Sequence, residues 1–235
     1  MSLDEKIART QALLREIAAQ HPDAVLANSF GAEDMVLTDL IARLGLSLGI
    51  FSLDTGRLPD ATYTLMQQVK ERYPAQPVTV YFPQTAATEA YVNLHGINGF
   101  YQSVELRKAC CHIRKIEPLK RALTGKSAWL TGLRREQSPT RQDLGDREFD
   151  ADHGLMKFNP LIDWSEKDVW DYIHQHEVPY NALHDQHYPS IGCAPCTRAI
   201  TLGEDVRAGR WWWENPETKE CGLHVKASPL KRPTV

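Results

Sequence analysis

Ala24-Val25-Leu26-Ala27-Asn28-Ser29-Phe30-Gly31-Ala32-Glu33-Asp34-Met35-Val36-Leu37 is the stretch on which the reading of the fold turns. Its apolar opening predicts a short strand over 24–28, and a turn with one glycine then leads into a helix from Glu33 to about Leu44. The same unit follows at once. Leu48 to Leu53 reads as a second strand, Asp54-Thr55-Gly56-Arg57-Leu58-Pro59 as its turn, and Asp60 to about Arg72 as the next helix. Val78 to Phe82 and Ala128 to Leu133 supply a third and a fourth strand, and Ser2 with Glu5 forms a capping box for a helix through about Ala19. Strands separated by helices of this length imply right-handed crossovers. The fold expected is α/β: a doubly wound, mainly parallel sheet with helices on both faces. Ligands of such sheets bind at the carboxyl ends of the strands, where the strand order reverses. The turns after strands one and two, and Thr131-Gly132 after strand four, all fall at that edge.

Residues 84–125 read as mostly helical, with Pro118 kinking or restarting the helix that follows Cys111. Ser165 caps a further helix through about His174, and a loop rich in His, Pro and Tyr leads to Cys193. Beyond Trp211-Trp212-Trp213 the chain is polar and holds Pro216, Pro229 and Pro233. Residues 1–210 are therefore read as one domain and 211–235 as a flexible tail. The tryptophans themselves suit wall packing and tail docking better than stacking on a base.

The chain of 235 residues is long enough for a substantial core, and its 42% hydrophobic and 24% charged residues are ordinary for a globular domain. No apolar run approaches a membrane span, and the first residues lack the basic head and apolar core of a secretory signal, so a cytoplasmic location is expected. A net charge of −3 offers no reason to expect a nucleic acid partner. Basic residues are nevertheless bunched at Arg107-Lys108, Arg114-Lys115, Lys120-Arg121, Arg134-Arg135 and Arg207 with Arg210. Together they suit a small anion, although any single pair reads equally well as a solvated face. Guanidinium groups bind phosphate or sulfate through paired hydrogen bonds. Arg207 and Arg210, three apart, share one face of a helical turn.

The five cysteines are an odd count in a reducing compartment, and they divide as Cys110-Cys111, Cys193-Ala194-Pro195-Cys196 and Cys221 alone. Two pairs can supply four thiolates to a metal centre. Neighbours such as Cys110 and Cys111 have trouble aiming at one tetrahedral zinc ion, whereas a cubane offers each thiolate its own iron. The spacing thus favours a four-iron, four-sulfur cluster. Structural zinc and unliganded buried thiols are the alternatives. Cys221, in Lys219-Glu220-Cys221-Gly222-Leu223-His224, is suited to be a thiolate nucleophile, or else an incidental surface thiol. The turn at Ser29-Phe30-Gly31-Ala32 could hold an anion at a helix N-terminus, but an ordinary strand-to-helix turn would read the same.

Seen together, Ser29-Phe30-Gly31, Leu53-Asp54-Thr55-Gly56-Arg57-Leu58, Arg107-Lys108-Ala109-Cys110-Cys111, Thr131-Gly132-Leu133-Arg134-Arg135, Gly192-Cys193-Ala194-Pro195-Cys196-Thr197-Arg198, Gly209-Arg210-Trp211-Trp212-Trp213-Glu214 and Glu220-Cys221-Gly222-Leu223-His224 resemble a known family. It is that of the assimilatory adenosine 5'-phosphosulfate reductases, related to the 3'-phosphoadenosine 5'-phosphosulfate reductases and more distantly to ATP pyrophosphatases. The resemblance implies an adenine-nucleotide α-hydrolase-like fold, and it covers nearly the whole chain. The pyrophosphatase turn reads Ser-Gly-Gly-x-Asp-Ser; Phe30 and Glu33 depart from it, which speaks against that activity.

The resemblance further implies that Cys110, Cys111, Cys193 and Cys196 ligate one 4Fe-4S cluster, and that Cys221 attacks the sulfate sulfur. AMP would leave, and thioredoxin or a similar dithiol protein would release sulfite from the S-sulfocysteine. It points to Lys115, Arg141, Arg207 and Arg210 for the anionic end of the substrate, with His224 nearby, and to Ser29, Gly31, Leu53, Thr55 and Gly132 for the adenosine. A homo-oligomer is implied as well. The branch that uses the 3'-phosphorylated nucleotide typically lacks the four paired cysteines, so adenosine 5'-phosphosulfate is the substrate expected. Two other readings stand beside this one: a reductase of the 3'-phosphorylated nucleotide that has kept a cluster, and a metal-stapled adenylate-binding redox sensor.

Overall fold

The structure, a computed structural model, describes residues 1–137 and 143–215. Helix α1 (Leu3–Gln20) opens on the Ser2–Glu5 capping box, in which Ser2 Oγ accepts from the Glu5 backbone N–H and the Glu5 carboxylate accepts from that of Ser2. Strand β1 (Val25–Ala27) runs into helix α2 (Ala32–Arg43), and β2 (Gly49–Leu53) into α3 (Asp60–Arg72). Strand β3 (Val78–Tyr81) precedes α4 (Thr85–His95) and α5 (Val104–Cys111). A single π-helical turn (His112–Ile116) then joins α5 to α6 (Glu117–Leu123). Pro118 sits in the first turn of α6, where its missing N–H leaves no bond unmade, so the helix restarts there.

Strand β4 (Ala128–Leu130) ends three residues earlier than its apolar sequence predicts. Thr131 to Arg134 instead form the loop that reaches the neighbouring turns. Strands β5 (Arg147–Asp150) and β6 (Leu155–Phe158) form an antiparallel hairpin that sequence patterning missed. Each is only four residues long, too short for alternation to stand out. Helix α7 (Glu166–His176) closes the series, with a second capping box at Ser165 and Asp168.

The six strands lie in the order β3-β2-β1-β4-β6-β5, parallel except for edge strand β5. From β1 the chain steps outward through β2 and β3, then returns to the other side of β1 with β4. That reversal opens a crevice at the carboxyl ends of β1 and β4.

Successive residues of each strand face opposite sides of the sheet. Leu26, Ile50, Leu130 and Phe158 join α1, α2, α3 and α7 in one buried cluster. Val25, Phe51, Trp129 and Leu155 pack on Leu119, Ala122 and Leu123 of α6 in the other. Helices therefore cover both faces, and the doubly wound α/β fold expected from the sequence is the one observed. No helix among the described residues is long and apolar enough to cross a membrane. Within the segment read as a tail, Trp211 is 1% exposed and Glu214 is ion-paired in the interior, so 211–214 are integral to the domain. Residues 216–235 lie outside the described residues.

Candidate active site

The turn after β1 is built by its own side chains. Asn28 Oδ1 accepts from the Phe30 N–H at 2.6 Å, while Asn28 Nδ2 donates to Thr38 Oγ1 at 2.8 Å. Phe30 takes a left-handed φ of 61°, which a non-glycine residue adopts only when held there, and its ring is buried in the core. Ser29 donates to Asp34 Oδ2 twice, from its backbone N–H at 2.7 Å and its hydroxyl at 2.6 Å. Burial raises the Asp34 carboxyl to about 6, against the lowering pull of Ser29 and the Gly132 backbone. Gly132 after β4 must be glycine, because a Cβ there would stand 2.4 Å from Asp34 Oδ1 and 2.8 Å from Glu33 Cβ. Glu33 accepts from Arg134 Nε at 2.8 Å and from Gln137 Nε2 at 3.0 Å.

The turn after β2 binds a different partner. Asp54 Oδ1 closes it by accepting from the Gly56 N–H at 2.7 Å, and accepts also from the Tyr63 hydroxyl at 2.9 Å. Thr55 Oγ1 lies 3.2 Å from Cys193 Sγ, and the Arg57 carbonyl accepts from the Ala194 N–H at 2.8 Å. Tyr101 donates to the Pro195 carbonyl at 2.6 Å. The Cys193–Cys196 clip is thereby seated on the second strand's turn. The other cysteine pair ends α5, where the π turn adds a residue to the helical path; such turns are frequent at functional sites. From that turn Arg114 Nη1 donates to the Thr55 carbonyl at 2.6 Å, tying the two cysteine segments together.

Cys110, Cys111, Cys193 and Cys196 are all half-buried. Burial raises Cys110, with Arg114 opposing the rise and Cys193 adding to it. Burial pushes Cys196 up to about 12; Cys193 and Cys111 reinforce this, while Lys115 and Arg210 oppose it. The two cysteine pairs are thus close enough to act on each other, inside a ring of positive charge. Among the described residues no three His, Cys, Asp or Glu side chains are grouped to hold one metal ion.

A cavity of about 1030 Å³ opens at the strand ends. Ser29, Gly31, Leu53, Thr55, Lys115, Gly132, Arg207 and Arg210 all line it, so the structure brings together eight of the residues named from the sequence. Arg141, Cys221 and His224 lie outside the described residues. Arg210 passes across Gly192, where a Cβ would come within 2.4 Å of its Nη2. The guanidinium carbons of Arg107 and Arg210 each lie 4.7 Å from the Trp211 ring centroid. Arg107 in turn donates to both Glu214 carboxylate oxygens, at 2.9 and 2.8 Å. Sequence reasoning missed Asp34 and His184, which also line the cavity. Asp34 was disguised as one of two ordinary acidic residues in the first turn of a helix, and His184 as one histidine of a loop.

A strand-end cavity at a topological reversal, walled by glycine turns and cations, defines a nucleotide-binding protein of the doubly wound α/β class. Residues 23–199 match the phosphoadenosine phosphosulfate reductase domain, and the chain belongs to that family. It is 58% identical over 222 residues to the adenosine 5'-phosphosulfate reductase of Allochromatium vinosum, covering 94% of this chain and 86% of that one. It is 54% identical over 223 residues to the protein of that name from Burkholderia cepacia, covering 95% and 89%. Among solved structures, phosphoadenylyl-sulfate (PAPS) reductase from Candida auris, a phosphate complex, superposes with a TM-score of 0.70 at 28% identity. That likeness covers 84% of this chain and 96% of the other. FMN adenylyltransferase from Candida glabrata, at a TM-score of 0.60 and 15% identity over 93% and 77% of the chains, shares the fold alone.

Proposed function

We propose that this chain reduces adenosine 5'-phosphosulfate to sulfite and AMP in sulfate assimilation. The observation that carries the reading is one cavity joining the three strand-end turns to Lys115, Arg207 and Arg210. The turns offer Ser29, Gly31, Leu53, Thr55 and Gly132 to an adenosine, and the cations offer charge to a phosphosulfate.

Sulfate carries negative charge that repels a thiolate, so the attack needs neutralisation at the oxygens. Lys115, Arg207 and Arg210 line the cavity where they can provide it, and the family resemblance implies Arg141 and His224 for the same task. Cys221 thiolate forms a bond to the sulfate sulfur as the bond from sulfur to the bridging oxygen breaks. AMP departs with that electron pair, leaving Cys221 as S-sulfocysteine. A thiolate of thioredoxin or a similar dithiol protein then attacks the Cys221 sulfur and expels sulfite. The partner's second thiol resolves the mixed disulfide and returns Cys221 as a thiolate. Sulfur gains two electrons and the dithiol loses two, so the reaction balances.

We further propose that Cys110, Cys111, Cys193 and Cys196 hold one 4Fe-4S cluster. The donor chemistry fits: two segments supply four thiols whose charges act on one another, and Arg57, Arg107, Arg114, Lys115 and Arg210 offset the charge that thiolates would bring. When bound, the cluster supplies structural cross-linking and an electrostatic field beside Lys115. The chain's own residues do the remaining work: Arg114 locks the Thr55 turn to the π turn, and Lys115 faces the cavity from that same turn. We also propose that the chain assembles as a homo-oligomer, as the family resemblance implies.

Mixing the protein with adenosine 5'-phosphosulfate is expected to add one sulfonate to Cys221, detected by mass and removed by reduced thioredoxin. Cys221→Ser should lose the adduct yet keep nucleotide binding and, in anaerobically purified protein, its iron and acid-labile sulfide. Full turnover by that variant would refute the mechanism.

A further inference from the structure

A turn of four residues is too short to fix its own shape, so the geometry of a Cys-x-x-Cys clip is set by what grips its backbone. Here the clip is a single 3-10 turn, Ala194–Cys196, with none of its residues fully buried. The Arg57 carbonyl accepts from the Ala194 N–H at 2.8 Å, and the Pro195 carbonyl accepts from the Tyr101 hydroxyl at 2.6 Å. These grips fall on consecutive residues and come from two separate segments, the turn after β2 and the 3-10 turn Gly99–Tyr101. The Arg57 side chain joins those segments. Its guanidinium donates to the Ile97 carbonyl at 2.6 Å and to Asn98 Oδ1 at 3.2 Å, and its Cζ lies 5.0 Å from the Phe100 ring centroid. The Phe100 and Tyr101 ring centroids are in turn 4.4 Å apart. The contacts close a circuit: the Arg57 backbone holds the clip, and its side chain holds the segment whose tyrosine holds the clip one residue further on. The same charge acts on Cys110 of the other pair, against the rise that burial produces.

We infer that Arg57 is a positioning residue for the cysteine centre: it presets the Cys193–Cys196 clip, and it does so through the fork of its guanidinium rather than through charge alone. The inference rests on the proposal that the four cysteines hold a cluster, and adds which residue outside the thiols fixes the clip. Two donors at a fixed spacing and a flat face for Phe100 are properties of a guanidinium. A lysine ammonium keeps the charge but cannot make both bonds and stack as well. Freedom removed from the clip in advance is not lost again when iron binds, so a preset clip holds it more tightly. The neighbouring Thr55 and Leu58 line the nucleotide cavity, whereas the Arg57 side chain turns to Ile97 and Asn98, so nucleotide binding and clip geometry can be read apart.

The test compares full-length wild type, Arg57→Lys, Arg57→Gln and Tyr101→Phe, all purified anaerobically. Iron and acid-labile sulfide are measured per chain, release of iron to a chelator is timed, and AMP is titrated as a check on the strand-end turns. Both Arg57 variants are expected to release iron about 10–100-fold faster than wild type while still binding AMP. Tyr101→Phe, which removes one grip, should release it about fivefold faster. Combining Arg57→Lys with Tyr101→Phe should add less than the sum of the two, because both break one circuit. Wild-type release by Arg57→Lys would overturn the inference, since charge would then suffice. Loss of AMP binding in step with iron would overturn it too, by showing a general collapse of the β2 turn. Should the Arg57 variants fail to fold, Tyr101→Phe decides alone, and a wild-type release rate there would sink the circuit. Fully active wild type without iron would instead strike the cluster reading itself, so the two failures are distinguishable.

Discussion

Asp34 illustrates how much a single side chain can carry. Its sequence position, in the first turn of α2, fits any acidic residue placed to complement a helix dipole. Its surroundings differ from that expectation, because burial raises its carboxyl from 3.8 to about 6, with the neighbouring Glu33 adding to the rise. A folded-state value above the unfolded one means that the native protein binds the proton more tightly. Stability is therefore greatest below the unfolded value and falls as pH rises through about 6. Over that window wild type should lose about 3 kcal/mol relative to Asp34→Asn, which has no carboxyl to titrate. Denaturant unfolding of both proteins from about pH 4 to 8 checks this, and parallel curves would show that Asp34 does not titrate there.

At the scale of elements, the capping boxes decide where helices start. Helix α7 begins at Glu166 because Ser165 Oγ accepts from the Asp168 N–H at 3.2 Å and Asp168 Oδ2 accepts from the Ser165 N–H at 2.7 Å. Lys6 of α1 also donates to Asp168, so the cap fastens two helices. Burial works to raise Asp168, but Lys6 and Ser165 prevail and hold it at about 2. The stabilisation is thus present above the ordinary carboxyl range and is lost as pH falls toward 2. Asp168→Ala is expected to cost about 1–2 kcal/mol at neutral pH, read from the urea midpoint. The gap should close on acidification from about pH 4. The short strands β5 and β6 are the opposite case. Nothing in four residues announces a strand, and they exist because β4 offers an unpaired edge to Leu155–Phe158.

Across the whole molecule, the segment 211–214 closes the cysteine region onto the domain. Arg107, buried on the helix that carries Cys110 and Cys111, pairs with both oxygens of Glu214 and lies against Trp211. The Trp211 N–H donates to the Cys196 carbonyl at 3.1 Å, so one short segment touches Cys196 and the helix that carries the other cysteine pair. Removing one partner from a buried ion pair leaves the other charge without compensation. Glu214→Ala should therefore destabilise the protein by about 3–5 kcal/mol, measured by chemical unfolding. Loss of less than about 1 kcal/mol would mean that the pair is solvated rather than buried.

The strand-turn-helix rhythm, the capping boxes and the restart at Pro118 were all legible in the chain itself. Each depends on neighbours within a few residues, and local backbone preference and spacing suffice to specify it. The strand order, the β5–β6 hairpin, the docking of Trp211 and the hydrogen bonds from Ser29 that hold Asp34 in the turn after β1 were settled only in three dimensions. Those features arise where residues distant in sequence compete for the same buried hydrogen bonds and volume. Gly132 shows the division well: its place at the ligand edge could be read from strand four, but its need to be glycine comes from the carboxylate of Asp34 pressing against it.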